Sequence, residues 1–89
     1  MNGYKYKNIS ADTLIKTGVG RVAGVIVNSH TSGKMKLTDS TDGTSGILVN
    51  VYTFSTGSQI IKFPEPVIFI NGLYASLEST TADITVIYE

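Results

Sequence analysis

The amino-acid sequence predicts an all-β fold: a single-domain antiparallel β-sandwich, jelly-roll-like, with eight or nine short strands. Apolar and polar residues alternate with a period of two in several short segments, which is the pattern of a half-buried strand. Breakers rich in Gly, Pro, Asn and Asp separate these segments at a spacing typical of sandwiches. No amphipathic helical pattern is visible, and 89 residues suit one domain, residues 1–89.

The predicted strands follow from this alternation. In chain order they cover residues 4–9, 13–16, 22–27, 34–38, 47–54, 58–63, 67–70, 73–77 and 82–88. The last is the clearest, because Ala82, Ile84, Val86 and Tyr88 share one face. Segments 22–27 and 47–54 are apolar on both faces, so we expect both in the middle of the sandwich or beneath a neighbouring subunit.

Two turn signals make specific predictions about how the strands are connected. Asn71-Gly72 favours a two-residue type I′ hairpin, which would pair residues 68–70 with residues 73–77. Pro64 and Pro66 bracket Glu65 and cannot donate to a ladder, so this piece is either a connection or a sheet edge. We expect it to carry the chain between the two sheets.

Composition excludes several classes of function. Seven basic and seven acidic residues balance, so no net field attracts nucleic acid or an anionic membrane. The absence of cysteine excludes disulfides, thiolate zinc sites and a cysteine nucleophile. The first residues lack the apolar run of a signal peptide, which predicts a protein that stays in the cytosol of the producing cell or is later released from that cell by lysis. A domain this short has a marginal core, and oligomerisation is the most available source of added stability.

His30, the single histidine, stands between Ser29 and Thr31. Serine hydrolysis needs a strained nucleophile elbow, and the chain contains no Gly-x-Ser-x-Gly motif. We therefore interpret His30 as a loop histidine at a subunit contact.

The loop from Asp39 to Gly46 superficially resembles a cation site. Calcium requires six to eight oxygen ligands, and the third acidic position and terminal glutamate of a calcium loop are missing. An Asx-type turn is the preferred interpretation, with calcium left as the alternative. The other carboxylates show no paired spacing of a glycosidase; they are Asp12, Glu65, Glu78, Asp83 and Glu89. We assign no catalytic, cofactor-binding or metal-binding residue, and we predict that the chain is not an enzyme and uses no cofactor. An enzyme stays an alternative only if a pocket unites His30 with carboxylates from distant strands.

The aromatic residues leave two alternatives open. Aromatic rows on a sheet can stack on sugar rings, or they can fill the core and a subunit interface. The chain has no tryptophan, and its aromatic residues are Tyr4, Tyr6, Tyr52, Tyr74, Tyr88, Phe54, Phe63 and Phe69.

Four segments together resemble small virion proteins of tailed bacteriophages, of the capsid decoration, cement or head-fibre type. They are residues 17–29 (TGVGRVAGVIVNS), 37–40 (LTDS), 71–74 (NGLY) and 82–89 (ADITVIYE). The resemblance spans nearly the full chain and carries no catalytic motif. It implies a compact β-sandwich that assembles as a homo-oligomer, often a trimer, on the virion surface or in a fibre.

The resulting hypothesis is a non-enzymatic virion structural protein that associates with itself and docks on the major capsid protein or other virion proteins. The alternative is a receptor- or carbohydrate-binding module of a phage fibre, which would contact a host surface glycan through tyrosines and the loop 39–46. Neither hypothesis involves nucleic acid or a membrane.

Overall fold

Eight antiparallel strands and no helix make up the structure, a computed structural model that describes residues 3–89. The strands are β1 (Lys5–Ile9), β2 (Thr13–Thr17), β3 (Gly20–Thr31), β4 (Lys34–Thr38), β5 (Ile47–Thr53), β6 (Gln59–Phe69), β7 (Gly72–Ser76) and β8 (Thr81–Tyr88). They form sheet A, in the order β1-β8-β3-β6, and sheet B, in the order β2-β7-β4-β5. The predicted all-β sandwich is confirmed.

The pairing is nested. β4 pairs with β5, β3 with β6, β2 with β7 and β1 with β8, so the chain resembles one long hairpin that has been rolled up. Only the β4–β5 connection stays within a sheet, and every other connection crosses from one sheet to the other. This is the strand order of a jelly roll.

The core lies between the two sheets and is built from alternate residues of the central strands. Val25 and Val27 of β3 stand beside Val86 and Ile84 of β8, and all four are fully buried. Sheet B contributes Met35, Leu37, Leu73 and Ala75, which are fully buried as well. Period-two alternation therefore directs one face of each sheet inward, as the sequence predicted.

For segment 47–54, the expected place in the middle of the sandwich is wrong, whereas burial beneath a neighbouring subunit stays a prediction. Segment 22–27 lies in β3, a central strand of sheet A, but β5 is an edge strand of sheet B. Its side chains are mostly exposed, including Ile47 and Val51. Apolar residues on both faces do not distinguish a central strand from an edge strand that leaves apolar side chains in contact with solvent.

The Asn71-Gly72 hairpin is also absent, because β6 and β7 belong to different sheets and do not pair. Neither residue has the positive φ that a type I′ turn requires. Gly72 is instead needed for close approach, since an added Cβ would lie 2.9 Å from the carbonyl oxygen of Lys16 and 3.0 Å from that of Ser40. Two consecutive residues that do have positive φ are Glu78 and Ser79, at 54° and 60°, in the crossover from β7 to β8.

Pro64 and Pro66 do not carry the chain between sheets, so that expectation is wrong and the edge alternative is confirmed. Segments 58–63 and 67–70 are joined in the single strand β6, which forms an edge of sheet A. Four residues of β6, 63–66, face the single residue Ala23 of β3. The strand bulges there because neither proline has an N–H to donate.

Candidate interaction surfaces

The outer face of sheet A, named the A face below, exposes a band of apolar side chains. Ile26 and Ile60 are register partners on β3 and β6, and Tyr6 and Ile87 are partners on β1 and β8. Ile60 is 72% exposed and Tyr6 is 66% exposed, while Ile26 and Ile87 are half-buried. Ile68, further along β6, is 64% exposed. These exposures mean that no loop of residues 3–89 lies over Ile60, Tyr6 or Ile68.

A polar cluster borders one end of the apolar band. The side-chain amides of Asn8 and Asn28 both donate to Oδ1 of Asp83, at 2.6 and 3.1 Å. Both amides also lie within hydrogen-bonding distance of the Thr85 hydroxyl. Asn28 reaches this position because it is the extra residue of a β-bulge between Val27 and Ser29. The two amides lower the pKa of the Asp83 carboxyl, so the carboxylate form is stabilised.

An ion pair borders the opposite end of the band. The Arg21 guanidinium donates to the Glu89 carboxylate, and the backbones of the two residues exchange N–H···O bonds of 3.0 and 2.7 Å. Arg21 stands beside Ile68 in the register of β3 and β6. The apolar band therefore lies between a polar cluster and a neutralised pair of charges.

The outer face of sheet B, the B face, is partly covered by the chain itself. The loop of residues 39–46 folds back so that Gly43 sits over Tyr74, where an added Cβ would lie 2.8 Å from the ring. Beneath the loop, the hydroxyls of Thr38 and Ser40 are buried and lie 3.0 Å apart. Ser40 Oγ also accepts the Gly43 N–H at 2.8 Å. A buried polar group of this kind needs such partners to offset its lost hydration.

Asp39 ties this loop to the β6–β7 crossover. Its carboxylate accepts the backbone N–H groups of Ile70, Asn71 and Gly72, at 2.7 to 3.3 Å. Desolvation alone would raise the pKa of this carboxyl, but the three N–H groups outweigh it and hold the pKa below its ordinary value. Asp42 forms hydrogen bonds within the loop itself. The hydroxyl and N–H of Thr44 donate to its carboxylate and lower its pKa. Both aspartates thus bind groups of the chain itself.

His30 bonds to the backbone through both ring nitrogens. Nδ1 accepts the Gly33 N–H at 2.9 Å, and Nε2 lies 2.5 Å from the Ser55 carbonyl oxygen, to which it donates. The ring packs edge-on against Phe54, with centroids 5.4 Å apart. His30 therefore links the β3–β4 and β5–β6 connections, and it lies within strand β3 and not in the loop that the sequence predicted. It lines an open depression of about 250 Å³ together with Asp83, but both ring nitrogens are already bonded to the backbone.

The remaining predicted candidates are dispersed. Asp12 accepts the Leu77 N–H at 2.8 Å, and Glu78 accepts the Ser76 hydroxyl, so each stabilises a connection. Glu65 stands in the proline bulge of β6, away from both. Across residues 3–89, no three His, Asp or Glu side chains converge as a metal site would require. Residues of the loop 39–46 and Asn71 do line an open polar depression of about 420 Å³.

Sequence reasoning missed the A face. Asn8, Asn28 and Asp83 come from three distant segments, and their meeting depends on the nested pairing of β1, β8 and β3. Period-two alternation alone marks Tyr6 with Asn8, and Ile26 with Asn28, as residues of one face. That signal indicates which side chains point together but does not indicate which strands are neighbours.

Comparisons with known proteins return no match: no family model, no curated protein and no solved structure is significantly similar to this chain. In the part of the chain from residue 3 onwards, no helix has the length and apolar character needed to cross a membrane.

Proposed function

We propose that this chain is a non-enzymatic structural protein of a phage virion, which associates with itself and docks on the capsid as a decoration, cement or head-fibre subunit. The observation that carries the proposal is the apolar band of the A face. Its most exposed apolar side chains are Ile60, Tyr6 and Ile68, and apolar side chains grouped on one face of a small domain mark an interaction surface. In this proposal the protein functions by binding through a surface, and this function needs no catalytic group.

Two further points support the proposal. Jelly rolls of eight strands are a recurrent fold of viral capsid domains, although fold alone does not determine function. The sequence also resembles small tailed-phage virion proteins in segments 17–29 and 82–89, which form much of β3 and β8. These two strands lie side by side in sheet A, so the resemblance covers the strands that carry part of the A face.

The test measures assembly and docking. Sedimentation equilibrium of the purified chain should give a mass that is a multiple of the 9.5 kDa monomer. The chain should also co-sediment saturably with capsids of the encoding phage that lack it. A chain that stays monomeric at micromolar concentration and does not bind these capsids would refute the proposal.

A carbohydrate-binding module remains the second candidate, because the polar depression beside the loop 39–46 offers hydroxyl and carboxylate groups to a sugar. Jelly rolls also occur among lectins. A glycan array tests this candidate with Thr41→Ala, a change in an exposed lining residue, and with Thr56→Ala as the matched exposed control. Binding that is lost only in Thr41→Ala supports the module, and an array without any binder excludes it.

A further inference from the structure

We propose that a second copy of this chain covers the A face, so that copies associate by packing sheet faces together and not by joining strands at their edges. This inference rests on the self-association in the proposed function and identifies the surface responsible. The apolar band supplies the driving force, since burial of apolar area is the main favourable term in protein association.

Edge strands are the usual alternative route, because their unpaired N–H and C=O groups can pair with another chain. In sheet A, both edge strands carry residues that hinder pairing with another strand. β1 carries Lys5 and Lys7, whose charges oppose close pairing with a like strand. β6 carries Pro64 and Pro66, which lack an N–H and bulge away from the ladder.

The edges of sheet B are irregular as well. β2 has a register shift between Leu14 and Lys16. β5 is shifted twice against β4, so its outer edge does not present an even row of groups. In addition, the Val51 N–H of β5 donates to the side-chain oxygen of Asn50 at 2.8 Å, so this group is already engaged. All four edges of the sandwich therefore disfavour strand addition.

The size of the A face matches the requirement of a stable contact. A standard protein interface buries roughly 800 Å² on each partner. That is about one sixth of the 4850 Å² accessible surface of this chain. The two longest extents of the molecule are 32 and 30 Å, and in a sandwich these dimensions belong to the sheet faces. One face is therefore large enough to hold such an interface.

The charges on the A face permit a copy of the same chain to bind. Arg21 and Glu89 neutralise each other at one end. Lys62 of β6 and Asp83 of β8 carry opposite charges, and the whole chain has a formal net charge of zero. Lys62 stands within the band, in the cross-strand row of Ile87, while Asp83 and the Arg21–Glu89 pair lie at its ends. A patch that is mainly apolar and carries few charges resembles the centre of a protein interface. The B face differs because the chain's own loop covers one end of it.

The first experiment compares two lysine substitutions at exposed positions by sedimentation equilibrium. Ile60→Lys places a charge in the band and should weaken self-association at least tenfold, while Val51→Lys on the edge strand β5 should leave it unchanged. Both parent side chains are exposed, at 72% and 46%, and circular dichroism verifies that the variants fold. If Val51→Lys dissociates the oligomer and Ile60→Lys does not, the A face is the wrong surface and self-association still stands.

The second experiment uses the natural lack of cysteine. Ile60→Cys should give a linked dimer with a short bis-maleimide, whereas Lys36→Cys on the B face should not. Linking of Lys36→Cys alone would overturn the assignment to the A face. A wild-type chain that sediments as a monomer would refute this inference together with the self-association on which it rests, whereas an oligomer insensitive to Ile60→Lys refutes this inference only.

Discussion

The two outer faces of the sandwich differ in whether a loop of the chain covers them. On the B face, the chain folds its own loop over Tyr74 and buries the hydroxyls of Thr38 and Ser40. On the A face, Ile60, Ile68 and Tyr6 remain exposed within residues 3–89. A small domain can thus cover one sheet with its own loop and leave the other for a partner. If so, changes on the B face should affect folding, and changes on the A face should affect association.

The largest effect is expected for Gly46→Ala, which disturbs the base of the covering loop. Gly46 has a φ of 72°, and an added Cβ would lie 2.5 Å from the Asp39 carbonyl oxygen. Left-handed strain and the backbone clash together should lower the free energy of unfolding by about 3 kcal/mol, as measured by urea unfolding. Gly57→Ala is the control: φ is 90° and the space is open, so strain alone should cost about 1 kcal/mol. Equal losses in the two variants would contradict a tightly seated loop.

Ser40→Ala should have the next largest effect. The substitution leaves the Gly43 N–H and the buried Thr38 hydroxyl without their shared partner. We expect the free energy of unfolding to fall by about 1–2 kcal/mol. Ser45→Ala, at an exposed position of the same loop, should change the free energy of unfolding by less than about 0.5 kcal/mol. A loss as large as that of Ser40→Ala would show that the hydroxyl network does not hold the loop.

The lowered pKa of Asp39 predicts that the free energy of unfolding depends on pH. The effect should be smaller than that of Ser40→Ala, because water screens the exposed carboxylate. Its pKa is lower in the folded chain than in the unfolded chain, so the unfolded chain binds the proton more readily. The stability it provides is complete above the unfolded pKa of about 4 and is lost as pH falls through the folded value.

The measurement is the difference in unfolding free energy between the wild type and Asp39→Asn at several pH values. The difference should favour the wild type near pH 7 and shrink as the pH falls below the unfolded pKa of about 4. Asp42 and Asp83 also have lowered pKa values, but both proteins contain them, so their contributions cancel. A difference that does not vary with pH would rule out the carboxylate as the link to the crossover.

The smallest effect on folding is expected on the A face. Ile60→Ser should change the free energy of unfolding of the dilute, monomeric chain by less than about 0.5 kcal/mol, because the side chain contacts mainly water. Tyr74→Ser on the B face should cost more, since the loop packs on that ring. If Ile60→Ser were the more damaging, the two faces would not differ in the way described.

Much of the fold followed from local patterns, and the failures share one cause. β4, Lys34–Thr38, has the predicted bounds, and the other predicted strands overlap observed ones. Asn71-Gly72 has the composition of a hairpin, yet Asp39 binds the N–H groups of residues 70–72 and the chain crosses between sheets. That carboxylate lies more than thirty residues away, so no local signal could reveal it.

From the sequence alone came the fold class and the separation of buried from exposed positions along β4, β7 and β8. Both depend on the period of two, which is a property of the backbone of any strand. Tertiary structure alone decided that β5 lies at an edge, that Asn8, Asn28 and Asp83 meet, and that the loop covers only the B face. Each depends on which strands are neighbours, and this is set by long-range pairing and packing energies that no short segment of the chain contains.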